Sequence, residues 1–214
     1  MGEGSVVFKA RSALGTYEGA VGRSVVYVPG LHVTEEPLLP VYSLRVSRKL
    51  GAVAAQAFAT ACGVPLPRQP NTCAGTAEFA SAWVEPLAWL LLGRKVPIAV
   101  AEVAPPPGIY LTELGARFCS LQLSGVRAPR LLAAAMSLDL ADGSFAAGSC
   151  ARTRLAALGG AFLQRLTGDT DYRLLVDVGL GPIVAEWLAD AAALLIPGTI
   201  KHRDAVFPDG GSLP

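Results

Sequence analysis

The sequence predicts an α+β protein with two lobes, in which antiparallel sheets are packed by helices. Three features carry this reading. Leu180, Ile183, Val184, Trp187, Leu188, Ala191, Leu194 and Leu195 recur at helical intervals, so the end of the chain reads as a long amphipathic helix. Cys119, Leu121 and Leu123 alternate with Ser120 and Gln122, the signature of a half-buried strand, and several short apolar runs resemble it. An apolar helical stripe must be buried, and packing it on a sheet gives an α+β fold. Finally, Pro105-Pro106-Pro107-Gly108 makes a rigid connection that suits a boundary between lobes. The expected organisation is an arm at 1–24, a first lobe at 25–104, a second at 105–197 and a polar tail at 198–214.

In chain order, Ser24 to Val28 reads as a strand turned by Pro29-Gly30, and Leu39 to Leu44 as another. Ser47 to Ala61 fits a helix capped by Ser47 and stopped by Gly63, with Leu50, Val53, Ala54, Ala57 and Phe58 on its inner face. Three prolines between Val64 and Asn71 prevent its continuation. Phe79 to Val84 and Leu87 to Leu92 read as buried strands broken at Pro86, and Ile98 to Val103 is a short apolar stretch. Ala128 to Met136 is a helix with Pro129 in its first turn. Ala151 to Leu158, Ala161 to Leu166 and Tyr172 to Val176 read as strands, the last two joined by a turn at Thr167 to Asp171. Along Tyr172 to Asp177, Tyr172, Leu174 and Val176 face one way and Arg173, Leu175 and Asp177 the other.

Composition narrows the functional classes. Hydrophobic residues make up 52% of the chain and charged residues 16%, against about 25% charged in an average globular domain. Such a chain is short of polar groups to cover its surface, which favours burial of part of that surface on another protein. Its longest apolar runs end at Arg94 and Pro197, well short of a membrane span. Met1 to Val21 carries Glu3, Lys9, Arg11 and Glu18 and lacks the apolar core of a secretory signal, so the expected compartment is the cytoplasm. A net charge of +1 and scattered lysines argue against nucleic acid. Cys62, Cys73, Cys119 and Cys150 show no CxxC spacing, and His32 and His202 lie near opposite ends, so no metal site is expected. The cysteines suit small core residues or free thiols, although the Pro-rich loop between Cys62 and Cys73 could bring that pair together.

Several segments, taken in order, resemble one family. LQLSGVRAPRLLAAAMSLDL (121–140) looks like the strand, Ser-Gly, helix and Asp-Leu segment shared by folate-binding aminomethyltransferases. FAAGSCARTRL, TGDTDYRLLVDVGL and EWLADAA resemble the closing strands and terminal helix of the gamma subunit of heterotetrameric sarcosine oxidase. LHVTEEPLLPVYSLR, CGVPLPRQPNT and AWVEPLAWLLLG resemble its earlier segments. The likeness runs from about 25 to 195. The chain departs from that pattern at Gln164, where the family often has Trp, and at Gly179-Leu180-Gly181. The resemblance implies a structural subunit without activity of its own, held with alpha, beta and delta subunits in a complex that uses FAD, FMN, NAD and tetrahydrofolate to oxidise N-methyl amino acids. It also leaves open a stand-alone folate-dependent one-carbon transferase.

The residues themselves supply little catalytic machinery. A flavin dinucleotide site calls for Gly-x-Gly-x-x-Gly between strand and helix, and Gly15, Gly19 and Gly22 have the wrong spacing. No Gly-x-Ser-x-Gly elbow is present for a hydrolase. Folate chemistry uses a carboxylate beside the pterin, for which Glu113 and Asp139 are the candidates, with a loop or capping role favoured for Asp139. Arg117, Arg127, Arg130, Arg152 and Arg154 suit either docking on an acidic surface or an ordinary solvated face. Trp83 and Trp89 are candidate interface anchors, whereas Trp187 falls on the inner helical stripe.

Overall fold

A computed structural model describes residues 12–15, 24–141, 143–166, 168 and 170–195. Most of the expected arm and the whole of the expected tail therefore lie outside the described residues, as do Thr167 and Asp169 of the expected turn. Among the described residues eleven strands and four α-helices follow one another as β1 (Ser24–Val28), β2 (Leu31–Glu35), β3 (Val41–Val46), α1 (Gly51–Ala61), β4 (Cys73–Gly75), β5 (Phe79–Glu85), β6 (Ala88–Gly93), α2 (Ile98–Glu102), β7 (Ile109–Glu113), β8 (Phe118–Ser124), α3 (Ala128–Ala135), β9 (Cys150–Leu155), β10 (Gly159–Arg165), β11 (Tyr172–Asp177) and α4 (Gly181–Leu195). The strands form two antiparallel sheets, ordered β1-β2-β8-β11-β10-β9 and β4-β5-β6-β3-β7.

Side-chain alternation along the strands divides the interior into three layers. On one face of the six-stranded sheet, Leu31, Val33, Leu121, Leu123, Leu163 and Leu174 pack against Leu131, Leu132, Val184 and Leu188 of α3 and α4. On the outer face of the five-stranded sheet, Leu44, Trp89 and Leu91 pack against Ala55 and Ala59 of α1 and Val100 of α2. The two sheets meet through Val41, Ala82, Leu90, Leu92, Phe162 and Leu175. The layers thus run helices, sheet, sheet, helices. Among the described residues no helix is long and apolar enough to cross a membrane.

Sheet membership does not follow a division at Pro105–Gly108. The hairpin β1–β2 joins the six-stranded sheet of the second half, and β7, beyond the prolines, pairs with β3. The strand β2 goes unread in the sequence because its buried positions are Leu31, Val33 and Glu35, and the carboxylate interrupts the apolar alternation. Its partner β8 ends at Gly125, whose φ of +104° and closeness to the Gly30 carbonyl leave no room for a side chain; an added Cβ would sit 2.5 Å from that oxygen.

Helix α4 buries Val184 and Leu188 of the stripe its spacing predicts, with Leu180, Trp187 and Ala191 packed beside them, whereas α1 keeps only Phe58 of its expected large inner residues against the sheet. Ser47 and Leu50 close a separate turn, and Gly51 at φ +71° breaks it from α1, so Ser47 does not cap the helix. Helix α1 buries Ala55 and Ala59 and leaves Val53 83% exposed. In α4 the buried residues are Val184, Ala185, Leu188 and Ala192, whereas Ile183 is half exposed and Leu194 is 84% exposed. Against α1 the sheet carries large side chains, and the small residues Ala55 and Ala59 fit against them closely. Val53, Ile183 and Leu194 are turned outward.

Candidate functional site

Glu36, Ser120, Gln164 and Arg173 gather where the two sheets face each other, whereas buried Glu35 and Arg165 lie on the helix side of the six-stranded sheet, Glu35 accepting from the Leu14 amide at 3.3 Å and Arg165 donating to the Phe145 carbonyl at 2.6 Å. Pairings across the six-stranded sheet align Thr34, Gln122, Arg173, Gln164 and Cys150 in one row, which the alternation of β-strands points toward the other sheet. Arg173 is only 2% exposed, and Glu36, just past β2, only 6%. Arg173 Nε donates to Glu36 Oε2 at 2.6 Å and Nη2 donates to Oε1 at 2.8 Å, a two-pronged pairing. Nη1 donates to Gln164 Oε1 at 3.3 Å, and Nη2 also reaches the Ala77 carbonyl at 3.2 Å, in the loop before β5 of the opposing sheet. The Ser120 hydroxyl donates to Glu36 Oε2 at 2.8 Å.

Burial pushes the Glu36 carboxyl up, but the hydrogen bond and charge of Arg173, with the Ser120 hydroxyl, outweigh it and hold the group below its ordinary value. An ionised carboxylate gripped in this way is a poor general acid at neutral pH. The guanidinium, with its donors spent on Glu36 and Gln164 of its own sheet and on the Ala77 carbonyl beside the other, is a structural clamp rather than a hand for substrate.

Beside this clamp the edges of the two sheets are stitched together. Thr72, ahead of β4, bridges Ser149, ahead of β9; Cys73 N donates to the Gly148 carbonyl at 2.7 Å and Cys150 N to the Asn71 carbonyl at 2.8 Å. The Cys73 thiol is pushed up, first by the neighbouring Cys150 and then by burial. Cys150 Sγ also approaches the Trp83 and Thr72 carbonyls at 3.4 and 3.5 Å. All four cysteines are free, so Cys62 and Cys73 are not joined; Cys62 instead follows α1, buried against the five-stranded sheet. A cleft of about 40 Å³ opens here, lined by Cys73, Thr76, Ala77, Gly148, Gln164 and Arg165. It holds a molecule the size of water and is far smaller than the roughly 300 Å³ at which small-ligand pockets begin.

The residues singled out from the sequence are dispersed. Glu113 is exposed at the end of edge strand β7, paired with Tyr42 of β3, in the five-stranded sheet. Asp139 is exposed in the loop after α3, where Oδ2 accepts from the Ser144 hydroxyl at 2.6 Å and Oδ1 from the Ala141 amide at 3.1 Å. Those two bonds hold its carboxyl below the ordinary range. Asp139 thus closes its own loop, and the two acids do not converge on a pterin-sized space. The pair therefore does not fit tetrahydrofolate.

The five interface arginines are exposed but occupy three places. Arg117 lies before β8 with its guanidinium 5.9 Å from the Phe118 ring, Arg127 and Arg130 lie at the start of α3, and Arg152 and Arg154 share one face of edge strand β9. Trp89 is core: it is 5% exposed and its Nε1 donates to the Pro67 carbonyl at 3.0 Å, so it cannot anchor a partner. Trp83 and Trp187 are partly buried. Glu36 and Ser120 escaped notice in the sequence. Arg173 is marked in the sequence only as sharing a strand face with Leu175 and Asp177, and Gln164 only as a departure from a family pattern. The signal available for the clamp was an acid and a base of opposite sign, each set in an otherwise apolar strand region.

No family model matches the sequence, and no curated protein matches it. Solved structures do. A chain of heterotetrameric sarcosine oxidase from Corynebacterium sp. U-96, in complex with pyrrole 2-carboxylate, superposes with a TM-score of 0.69 at 24% identity, covering 83% of this chain and 91% of that one. Aminomethyltransferase T of the glycine cleavage system from Bartonella henselae superposes with a TM-score of 0.50 at 13% identity, covering 74% of this chain but only 45% of that one. The two-sheet architecture with its flanking helices is therefore the fold of a chain of heterotetrameric sarcosine oxidase, and it spans less than half of the aminomethyltransferase that shares it.

Proposed function

We propose that this chain is a non-catalytic, cytoplasmic subunit that braces a flavin- and tetrahydrofolate-linked amine oxidase of the sarcosine oxidase kind. In this reading alpha, beta and delta partners carry FAD, FMN, NAD and the folate site, and the substrate is an N-methyl amino acid. The observation that carries the proposal is the contrast in coverage. The chain accounts for nearly the full length of its oxidase counterpart, yet for less than half of a transferase that bears the same fold. Two features of the molecule support it. The Arg173–Glu36 clamp and its apolar neighbours lie between the sheets, beside a cleft of only about 40 Å³. Large apolar side chains at Val53, Ile183 and Leu194 are turned outward, where a partner can cover them.

The test is purification of the tagged chain from the cells that make it, followed by visible spectroscopy and mass spectrometry of what co-elutes. Stoichiometric co-elution with flavin-bearing polypeptides is the expected result. A pure chain that by itself forms methylenetetrahydrofolate from a methylated amine and tetrahydrofolate would replace this reading with that of a stand-alone one-carbon transferase.

A further inference from the structure

Strand β9 forms one edge of the six-stranded sheet, and only part of that edge is covered. Two hydrogen bonds fix which of its backbone groups face outward. Arg165 N donates to the Ser149 carbonyl at 2.9 Å, so Ser149, Ala151, Thr153 and Leu155 turn their N–H and C=O groups toward β10. Cys150 N donates the other way, to the Asn71 carbonyl at 2.8 Å. By the same alternation the N–H and C=O groups of Arg152 and Arg154 point away from the sheet.

The covered part is short. Thr72 bridges Ser149, Asn71 takes the Cys150 amide, and past Cys150 the edge has no further bond to that segment among the described residues. Just beyond the other end of β9, Ala156 N donates to the Ala135 carbonyl of α3 at 2.6 Å. Between these two ties the backbone groups of Arg152 and Arg154 lie open. Among the described residues their one outward contact is the Thr153 hydroxyl, 3.5 Å from the Arg154 carbonyl.

The side chains above this gap carry the second observation. Arg152 and Arg154 are exposed on one face of β9, across from Phe162 and Gly160 of β10. No carboxylate among the described residues pairs with either. On that face the space over Gly160 is empty, so an incoming side chain meets no obstacle. Thr153 lies on the opposite face, across from Ala161 of the helix-side layer.

We propose that the open edge of β9 receives a short strand of a companion subunit, antiparallel to β9, with carboxylates at two positions separated by one uncharged residue. This names the contact by which the bracing subunit is held, and it rests on that reading. Residues directly opposed across an antiparallel pair share a face, so the two carboxylates stand against Arg152 and Arg154. The residue between them stands against Thr153. Main-chain bonds set the register, and the paired charges select the partner. A second copy of this chain is a poor occupant, because two β9 edges joined antiparallel set arginine against arginine.

The experiment has two arms that fail separately. In the first, the full chain is titrated to millimolar concentration with a heptapeptide bearing glutamate at its third and fifth positions and valine or threonine elsewhere. Amide hydrogen exchange is then read residue by residue. In the free chain Ala151 and Thr153 should exchange slowly, and Arg152 and Arg154 quickly. The glutamate peptide should slow Arg152 and Arg154 about tenfold, the effect of nine-tenths occupancy. The same peptide with lysine in place of glutamate should not, nor should one N-methylated at both glutamates. Arg152→Glu combined with Arg154→Glu should reverse the preference between glutamate and lysine; should that variant not fold, the three peptides decide on the natural sequence. The proposal is overturned if the glutamate peptide slows neither amide, or if the lysine or N-methylated peptide works as well. It is equally overturned if both amides are already slow in the chain alone, at low concentration (its own chain covers the edge) or only at high concentration (a second copy does).

In the second arm exchange is read in the co-purified complex, where Arg152 and Arg154 should also be slow. A complex in which they stay fast overturns the docking proposal and leaves the bracing role standing. Specific binding of the glutamate peptide by a chain that co-purifies with nothing supports the edge as a receptor for acidic strands, and removes the bracing role instead.

Discussion

Between the six-stranded sheet and α3 and α4 the interior is mainly aliphatic, with Glu35 and Arg165 at its margin, whereas between the two sheets a carboxylate, a guanidinium, an amide and two thiols share space with leucines. The two layers use opposite faces of the same strands. In β11, Tyr172, Leu174 and Val176 point to the helices, while Arg173 and Leu175 point to the other sheet. Apolar contact holds a layer together without dictating its register, because burial is non-directional. A two-pronged ion pair is directional. Arg173 ties β11 to Glu36 and Gln164 within the six-stranded sheet, and its bond to the Ala77 carbonyl reaches the five-stranded one in one placement of the two. The polar layer thus supplies alignment at a cost in desolvation, and the apolar layer supplies most of the binding force.

The comparison breaks most sharply at Glu36. Replacing Glu36 with Ala leaves the Arg173 charge buried and unpaired, and should cost about 3–5 kcal/mol in urea unfolding. Replacing both partners with apolar residues of similar size, Glu36→Leu with Arg173→Met, should recover most of that loss. A double variant as unstable as the single would show that the clamp supplies binding force and not only alignment.

The same pair fixes an acid limb. The folded Glu36 carboxyl titrates below its ordinary value of 4.5, so the unfolded chain takes up the proton first as pH falls. The contribution is whole above about pH 6 and is lost as the pH falls past the unfolded value and through the folded one. Glu36→Gln removes this group, so the stability gap between it and the natural sequence should narrow steadily between about pH 6 and pH 3. A gap that stays constant across that range would assign the acid sensitivity to other carboxylates.

On the apolar side, Leu174 is fully buried between β11 and the helices. Leu174→Ala should cost about 3 kcal/mol by loss of transfer energy and creation of a cavity. Unlike Glu36→Ala, this loss should be insensitive to pH over the acid limb, because no charge is involved. Urea midpoints at neutral and acid pH separate the two behaviours.

The apolar layer was largely legible in the sequence and the polar one was not. Tyr172 to Asp177 alternates cleanly, and the expected strand and both of its faces are found; the helix with Pro129 in its first turn lies where the spacing places it. These are short-range patterns, set by side chains within one or two turns of each other. The clamp joins residues 137 positions apart, and nothing local marks Glu36 as the partner of Arg173. Sheet membership was hidden for the same reason, since β2 and β8 pair across the whole first half of the chain. The helix faces were legible in part. Val184 and Leu188 are buried as the spacing ranks them, but Val53 and Leu194 face outward, and Ala55, Ala59, Ala185 and Ala192 take inner positions that size alone does not mark. Asp139, favoured as a loop residue, is one, with its carboxylate closing the turn to Ser144.

The smallest expected effect comes from one of those outward residues. Val53 is 83% exposed on α1, so removing its methyl groups from water contributes little to the fold of this chain. Val53→Ser should change the unfolding free energy by less than about 0.5 kcal/mol. That near-neutrality is the useful property, because it separates folding from association. If α1 is covered by a companion subunit, the same substitution should lower co-purification of the flavin-bearing chains while leaving the urea midpoint in place. A variant that unfolds markedly earlier would instead mean that Val53 is covered within this chain, and that the exposed face of α1 belongs to the fold rather than to a partner.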